Sequence, residues 1–413
     1  MVTKYDIFEF MYKKGSPLKP QEVASEFKKS NIDYNGIYNM LVDLKEQKLI
    51  VKNDYGFQVI RNEMNDLLFQ MIMLCMKNDI NHNQLIDKNL AAFIANAFLK
   101  KRFAVKDFDI DPRTFSKYVG ILSKNGLAIV LSKKPLTVTI PYNSFLRDMV
   151  VYFGEKVFVS KLKPDEYFDE IGRELKKFQK LRSKNEQRFK RITDEFEIRF
   201  IHHSLSLEGN PITLPDTIKL LKDKIVPKEY TTENVYEVQN YKNAIVQMNQ
   251  DAQERRPISK ESILNYHRLA MTHKPEFAGS IRKKKVVIRG NPKYKVAKVK
   301  EIEPRLDALM KKYNDFFTKK RLSLKDILDF AAYFHNEFQH IHPFLDGNSR
   351  TTRLITFHLL RTQNIPVLDI PLGMLEEYVF STKSAKKRDD KKLGQVFQQI
   401  ILYNLKSIND KLS

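Results

Sequence analysis

Apolar residues recur at helical spacing along most of this chain. Ile7, Phe8, Met11 and Tyr12 share one face, Val23, Ala24 and Phe27 line a short second helix after Pro17 and Pro20, and Ile37, Tyr38, Leu41, Val42 and Leu44 line a third. Leu49-Ile50-Val51 and Phe57-Gln58-Val59 flank the turn-forming run Asn53-Asp54-Tyr55-Gly56, which predicts a β-hairpin. A fainter version follows: helices over 93–101 and 105–108, another from Asp111-Pro112 to Asn125-Gly126, and a hairpin of 127–131 with 136–140. Phe168, Ile171, Leu175, Phe178, Leu181, Phe189, Ile192 and Phe196 predict a charged amphipathic helix over 165–200. From there to about residue 410 the pattern stays helical with one break. That break is a strand at Val286, Val287 and Ile288, ended by the turn Arg289-Gly290-Asn291-Pro292.

A chain of 413 residues is long for one hydrophobic core. The pattern divides it into 1–62, 63–160, a connector over 161–200 and a helical domain over 201–413. Three helices and a hairpin make the order of a winged helix-turn-helix, with Asp33 to Lys45 as its recognition helix, and 63–160 is a second, weaker instance. The fold class is therefore mainly α: one or two winged α+β modules ahead of an all-α domain.

Charge and cysteine usage narrow the picture. Lys and Arg outnumber Asp and Glu 72 to 50, a formal net charge of +22, which favours nucleic acid, nucleotides or acidic protein surfaces as partners. The single cysteine, Cys75, sits among apolar neighbours; it excludes an intrachain disulfide and reads as an inert buried thiol in a reducing compartment. No apolar run approaches the roughly 18–20 residues that cross a bilayer, and the first residues lack the apolar core of a signal peptide. A cytoplasmic protein without a membrane partner is expected.

Chemistry concentrates in His342-Pro343-Phe344-Leu345-Asp346-Gly347-Asn348-Ser349-Arg350-Thr351-Thr352-Arg353, between a helix over 328–339 and one over 350–361. A loop emptying into a helix start turns N–H groups toward a common point, where the dipole adds about half a positive charge. Gly347 permits that turn. Arg350 and Arg353, three apart, project from one helix face and suit a polyphosphate. Asp346 offers a hard oxygen to Mg²⁺, and His342 can take a proton at neutral pH. Base, metal ligand, anion nest and two cations are the parts that phosphoryl-type transfer needs. A bare D-G-N turn would instead be ordinary loop chemistry with surface arginines.

These twelve residues resemble the Fic (Fido) motif H-x-F-x-[D/E]-G-N-G-R-x-x-R, departing from it only at Ser349, where the family has Gly. Ala331-Ala332-Tyr333-Phe334-His335, the stretch Ile263 to Leu269, and Gly279-Ser280-Ile281-Arg282 extend the likeness over residues 195–400. The resemblance implies an all-α Fic core with a short β-hairpin flap. It also implies transfer of AMP from ATP, with Mg²⁺, to a Ser, Thr or Tyr hydroxyl of a protein, the chain itself among the candidates. By position, His342 deprotonates the acceptor and Asp346 holds Mg²⁺. Gly347, Asn348 and Ser349 line the α- and β-phosphates, and Arg350 and Arg353 bind the outer ones. Tyr378 stands where the family contacts the base, with a core tyrosine as its other reading. Val286, Val287 and Ile288 correspond to the flap that pairs with the target backbone. Ser349 has two readings: a residue at positive φ, about 1 kcal/mol worse than Gly, or the N-cap of the next helix with its amide still facing the phosphates.

Ser204-Leu205-Ser206-Leu207-Glu208-Gly209-Asn210 ends an amphipathic helix before Pro211. It resembles the family's inhibitory motif [S/T]-x-x-x-E-[G/N], which implies that Glu208 pairs with Arg353 in the space of the γ-phosphate. In some relatives such a Glu orients water for removal of AMP, so a deAMPylase is one alternative. Another is a DNA-binding regulator whose Fic domain senses nucleotide, its basic N-terminal region offering Lys28, Lys29, Lys45, Lys48, Arg113, Lys117 and Lys124 to phosphates. The run Lys383 to Lys392 reads as a solvated face. Target, reaction direction and oligomeric state, a homodimer included, stay open.

Overall fold

A computed structural model describes residues 2–30, 32–158, 166–288, 291–319, 321–385 and 387–413. Outside them lie the start of the expected connector (161–165), Arg289 and Gly290 of the expected turn, and Lys386 of the basic run. The side chain of Lys29 is likewise outside the description. The chain forms two compact units: Met1–Lys100 with Ser144–Ser160, and Lys101–Asn143 with Lys161–Ser413. The middle of the 63–160 segment thus belongs to the unit that carries the motif.

The first unit begins with α1 (Lys4–Lys14), α2 (Pro20–Glu26) and α3 (Tyr34–Glu46), then β1 (Ile50–Asn53) and β2 (Gly56–Val59). Gly15 ends α1 in the left-handed region at φ 71, and the Asp33 carboxylate caps α3 by accepting from Gly36 N–H at 2.8 Å. The two strands pair antiparallel with Asn53 opposite Gly56, and a Cβ on Gly56 would lie 2.4 Å from the Leu18 carbonyl oxygen, so only glycine fits. Ile7, Phe8, Val23, Ile37, Leu41 and Phe57 are fully buried beneath them. This is the helix–helix–helix–hairpin order that the pattern predicts. The charge is not as read: residues 1–60 hold nine Lys and no Arg against eight Asp and Glu, so the basic excess lies elsewhere in the chain. The unit continues through α4 (Glu63–Lys77), α5 (His82–Leu85) and α6 (Lys88–Ala97). Burial in α4 pushes the Cys75 thiol up to about 12, an inert group as expected.

The second unit contributes α7 (Pro112–Lys124) between β3 (Phe103–Ala104) and a hairpin of β4 (Ile129–Lys133) and β5 (Leu136–Thr139), a sheet ordered β3-β5-β4. The chain crosses to the first unit for α8 (Ser144–Tyr152) and returns with α9 (Phe168–Arg182) and α10 (Glu186–Ser206). Hence the single helix expected over 165–200 is two. No apolar residue occupies 182–185, and Ser183 Oγ and Asn185 Nδ2 bond back to the Lys180 and Leu181 carbonyls, closing α9. α10 runs on through Ser204, so connector and inhibitory segment are one helix.

Then come α11 (Leu214–Ile218), α12 (Thr232–Gln253), α13 (Lys260–Ala270), α14 (Val299–Phe317), α15 (Leu324–Ile341), α16 (Asn348–Thr362), α17 (Leu372–Phe380) and α18 (Asp390–Leu412). α16 is the centre: every residue from Asn348 to Leu360 is buried, against α12, α13 and α15. The expected strand at Val286, Val287 and Ile288 is irregular coil, with no described strand beside it. No described helix is long and apolar enough to cross a membrane.

Candidate active site

The loop between α15 and α16 is built by its own sequence. His342 ends α15 at φ 50, its N–H on the Phe338 carbonyl. Asn348 then staples the loop: its Nδ2 donates to the Phe344 carbonyl and its Oδ1 accepts from Phe344 N–H, both at 2.9 Å. The side chain of Asn348 therefore shapes the loop, leaving only its amide for a ligand. Gly347, at φ 74, is the N-cap of α16. The N–H groups that follow it, those of Asn348, Ser349 and Arg350, belong to the first turn and have no carbonyl four residues back to bond. They make the anion nest that the sequence implies.

This settles the conformation of Ser349. It is the second residue of α16, the left-handed residue being Gly347, and it is mostly buried. Ser349 is neither strained by a positive φ nor the N-cap, and its helical backbone suits serine. Gly347 is the position that favours glycine: a Cβ there would sit 2.9 Å from Met271 Sδ and 3.1 Å from His267 Nε2. Gly347→Ala combines that clash with a left-handed penalty of roughly 1–2 kcal/mol. A fall in Tm of several degrees in thermal unfolding is expected, whereas Ser349→Gly should stay near the wild type.

Two residues quoted only as family resemblance hold the loop in place. His267, on α13, stacks on Phe344 with ring centroids 3.6 Å apart and planes 4° from parallel. Its Nδ1 accepts from Gly279 N–H at 2.9 Å, so its other nitrogen carries the proton and donates to the Asp346 carbonyl at 3.0 Å. Burial above all pushes His267 down to about 4, keeping it neutral. Arg282 is buried among carbonyls: Nε donates to His342 at 2.7 Å, Nη1 to Lys284 at 2.9 Å and Nη2 to Ala297 at 2.6 Å. It ties both ends of the 282–297 stretch, which includes Val286, Val287 and Ile288, to the loop.

His342 itself is half-buried. Its Nδ1 lies 3.2 Å from the Gln339 carbonyl, which can only accept, so Nδ1 is protonated and Nε2 keeps its lone pair. Burial, helped by the Arg282 charge, lowers the imidazole to about 4 against smaller pulls from Asp346 and Glu208. A neutral ring with a free Nε2 at pH 7 is the form a general base needs.

The arginines sit where the motif puts them, and both are paired. Arg350 is buried between Glu237 on α12, at 3.1 Å, and Asp346, also at 3.1 Å. Arg353, 1% exposed, donates from Nε to Ser204 Oγ at 2.6 Å and from Nη2 to Glu208 Oε1 at 2.9 Å. Burial alone would raise the Glu208 carboxyl, but Arg353, then Lys383 and Arg350, hold it down at about 2. Asn210 reaches Glu237 Oε2 at 2.8 Å, and Gly209, at φ 97, lets the chain leave α10. Glu237 and Lys383 were not read from the sequence as site residues. Glu237 carries no local signal, and Lys383 was absorbed into a charge run.

Asp346 keeps a 62% exposed carboxylate at the mouth of the nest. Among the described residues no cluster of three His, Cys, Asp or Glu could hold a metal. A lone hard carboxylate beside a phosphate nest fits Mg²⁺, which is usually bound by one or two carboxylates plus substrate phosphates. Tyr378 is buried with its hydroxyl 3.2 Å from His335 Nε2, in the core reading rather than on an open base pocket. His335 bonds Thr356 at 2.9 Å and acts as a structural group. A cavity of about 200 Å³ walled by Phe178, Arg182, Phe189, Arg361 and Leu368 shares no residue with the loop.

Fold and site together define a helical domain whose buried helix α16 starts at a glycine-capped loop carrying a neutral histidine. Residues 257–360 match the Fic/DOC family. The chain is similar to the protein adenylyltransferase Fic of Drosophila persimilis, 28% identical over 201 residues, which are 48% of this chain and 38% of that protein. The Drosophila virilis protein of the same name is 27% identical over 201 residues, 48% of this chain and 40% of that one. The chain thus spans about two-fifths of the length of these relatives. A Fic domain containing signaling protein from Bacteroides thetaiotaomicron shares the fold: TM-score 0.51 at 21% identity, covering 60% of this chain and 98% of that one.

Proposed function

We propose that this chain is a protein adenylyltransferase that moves AMP from ATP to a protein hydroxyl and rests in a state closed by Glu208. His342 Nε2 takes the acceptor's proton, and the oxygen attacks the α-phosphorus. A new P–O bond forms, the bond to the β-phosphate oxygen breaks, and pyrophosphate leaves. The amides of Asn348, Ser349 and Arg350 face the charge that gathers on the phosphates, and Arg350 and Arg353 neutralise the outer ones. Asp346 is the residue that would hold Mg²⁺, whose charge offsets the phosphate oxygens when bound. Val286, Val287 and Ile288, in irregular coil with no described strand beside them, are proposed to gain a ladder only when a target strand adds to them.

The observation that carries this reading is the Glu208–Arg353 pair. It places a displaceable carboxylate on a buried guanidinium beside an anion nest. The same geometry weighs against a water-activating role at rest, since a carboxylate held near 2 by two cations is a weak base. The near balance of charge over 1–60 weighs against the DNA-binding alternative. The test is Glu208→Gly with ATP and Mg²⁺: covalent AMP, read by intact mass or label, is expected to rise at least tenfold over the wild type. No increase in labelling of the chain or of a protein extract defeats the proposal.

A further inference from the structure

Glu208 is gripped from two sides. Its Oε1 takes the Arg353 bond at 2.9 Å, and its Oε2 accepts from Lys383 Nζ at 3.1 Å. Lys383 also donates to the Leu207 carbonyl at 3.1 Å, at the end of the same helix. Its side chain is 23% exposed, so it does not belong to the solvated face in which its sequence neighbours place it. The backbone beneath it is fixed as well: Asn291 Nδ2 donates to the carbonyls of Lys383 and Ala385 at 3.1 and 3.2 Å.

Two cations here share one carboxylate, while Arg350 has Glu237 and Asp346 of its own. Withdrawal of Glu208 alone leaves a guanidinium and an ammonium side by side, mostly out of water and without a counter-charge. Such a pair is stable only with an anion between it. An anion with several oxygens and more than one charge answers both cations better than the carboxylate does.

We propose that Lys383 is a phosphate ligand: the ammonium that fastens Glu208 in the closed state takes an oxygen of the nucleotide's polyphosphate once Glu208 withdraws. The lysine suits that exchange, being a compact charge on a flexible stem that can follow the anion rather than a planar fork bound to one geometry. The inference rests on the adenylyl-transfer reading, and a lysine that only fastens the inhibitory helix behaves differently.

The test compares Glu208→Gly with Glu208→Gly/Lys383→Met, the methionine keeping most of the apolar stem. ATP binding with Mg²⁺ is measured by calorimetry, and KM and kcat by AMP transfer. The loss of one charge-assisted bond should weaken ATP binding roughly tenfold and raise KM more than it lowers kcat, with Lys383→Arg recovering most of the loss. In the otherwise wild-type chain Lys383→Met should instead raise transfer, because the lock loosens. ATP affinity unchanged within twofold in the Glu208→Gly background overturns the proposal, whatever the wild-type arm does. Calorimetry reads binding without turnover, so absence of AMP transfer would sink the adenylyltransferase reading and leave this arm standing.

Discussion

His342→Ala, placed in the Glu208→Gly chain, is expected to remove AMP transfer by a factor of roughly 10²–10⁴ while leaving ATP affinity nearly unchanged. The expectation follows from how the ring is held. Gln339 fixes the tautomer, so Nε2 alone faces the reaction, and among the motif residues no other group combines a free lone pair with a neutral form at pH 7. The pH profile supplies a second readout. A base works only when unprotonated, so activity is present above the imidazole's pKa and lost as pH falls through it. With burial holding that value near 4, transfer should stay flat from pH 8 to below pH 6, where an ordinary histidine near 6.5 would already be failing. Stability has the same sign. A histidine kept neutral by the fold favours the folded state above about 6.5 and takes that contribution away as pH falls toward 4. Circular dichroism at each pH therefore separates lost catalysis from unfolding. A profile that breaks near 6.5 while the fold is intact would show that Nε2 is more solvated than the structure has it.

The motif was legible because its parts are local. A histidine, an acid, a glycine and two arginines within twelve residues need only one loop and one helix start to meet. Glu208 was legible for the same reason, since six residues carry its pattern. What the sequence hid was long-range. Glu237 lies 113 positions from Arg350, and nothing in its helix marks it as facing a cation. The centrality of α16 was hidden too, because a helix with four threonines, a histidine and three arginines does not look like a core. It can be buried because most of its polar groups find partners. Thr351, Thr352 and Thr356 donate to the carbonyls four residues back, and His358 meets Tyr266 and the Arg256 carbonyl. The strand read at Val286 to Ile288 failed for a different physical reason. β-branched residues state a preference for extension, but a ladder needs a neighbour that the described residues do not place there.

Arg353→Ala is the second large effect, and it falls on stability as much as on nucleotide binding. Removing the guanidinium strands the Glu208 carboxylate and deprives Ser204 Oγ of the Nε bond at 2.6 Å. Breaking a buried pair from one side costs roughly 3–5 kcal/mol, and the lower end applies here because Glu208 keeps 20% exposure and a second cation in Lys383. The pH dependence follows from the depressed carboxyl. Its contribution is present above the unfolded value near 4.5 and lost as pH falls through about 2, so the difference between wild type and Arg353→Ala should shrink in acid. In urea unfolding, Arg353→Ala/Glu208→Gln should be more stable than Arg353→Ala alone, since the stranded charge is gone. Simple additivity of the two single changes would mean that the pair is not coupled. The same asymmetry explains how a strong contact can serve as a reversible lock. A buried ion pair is costly to break from one side yet contributes little net stability against another well-matched occupant. In the proposed reaction ATP is that occupant, its phosphates taking the place of the Glu208 carboxylate on Arg353. Opening by that exchange would avoid the full cost of separating the charges.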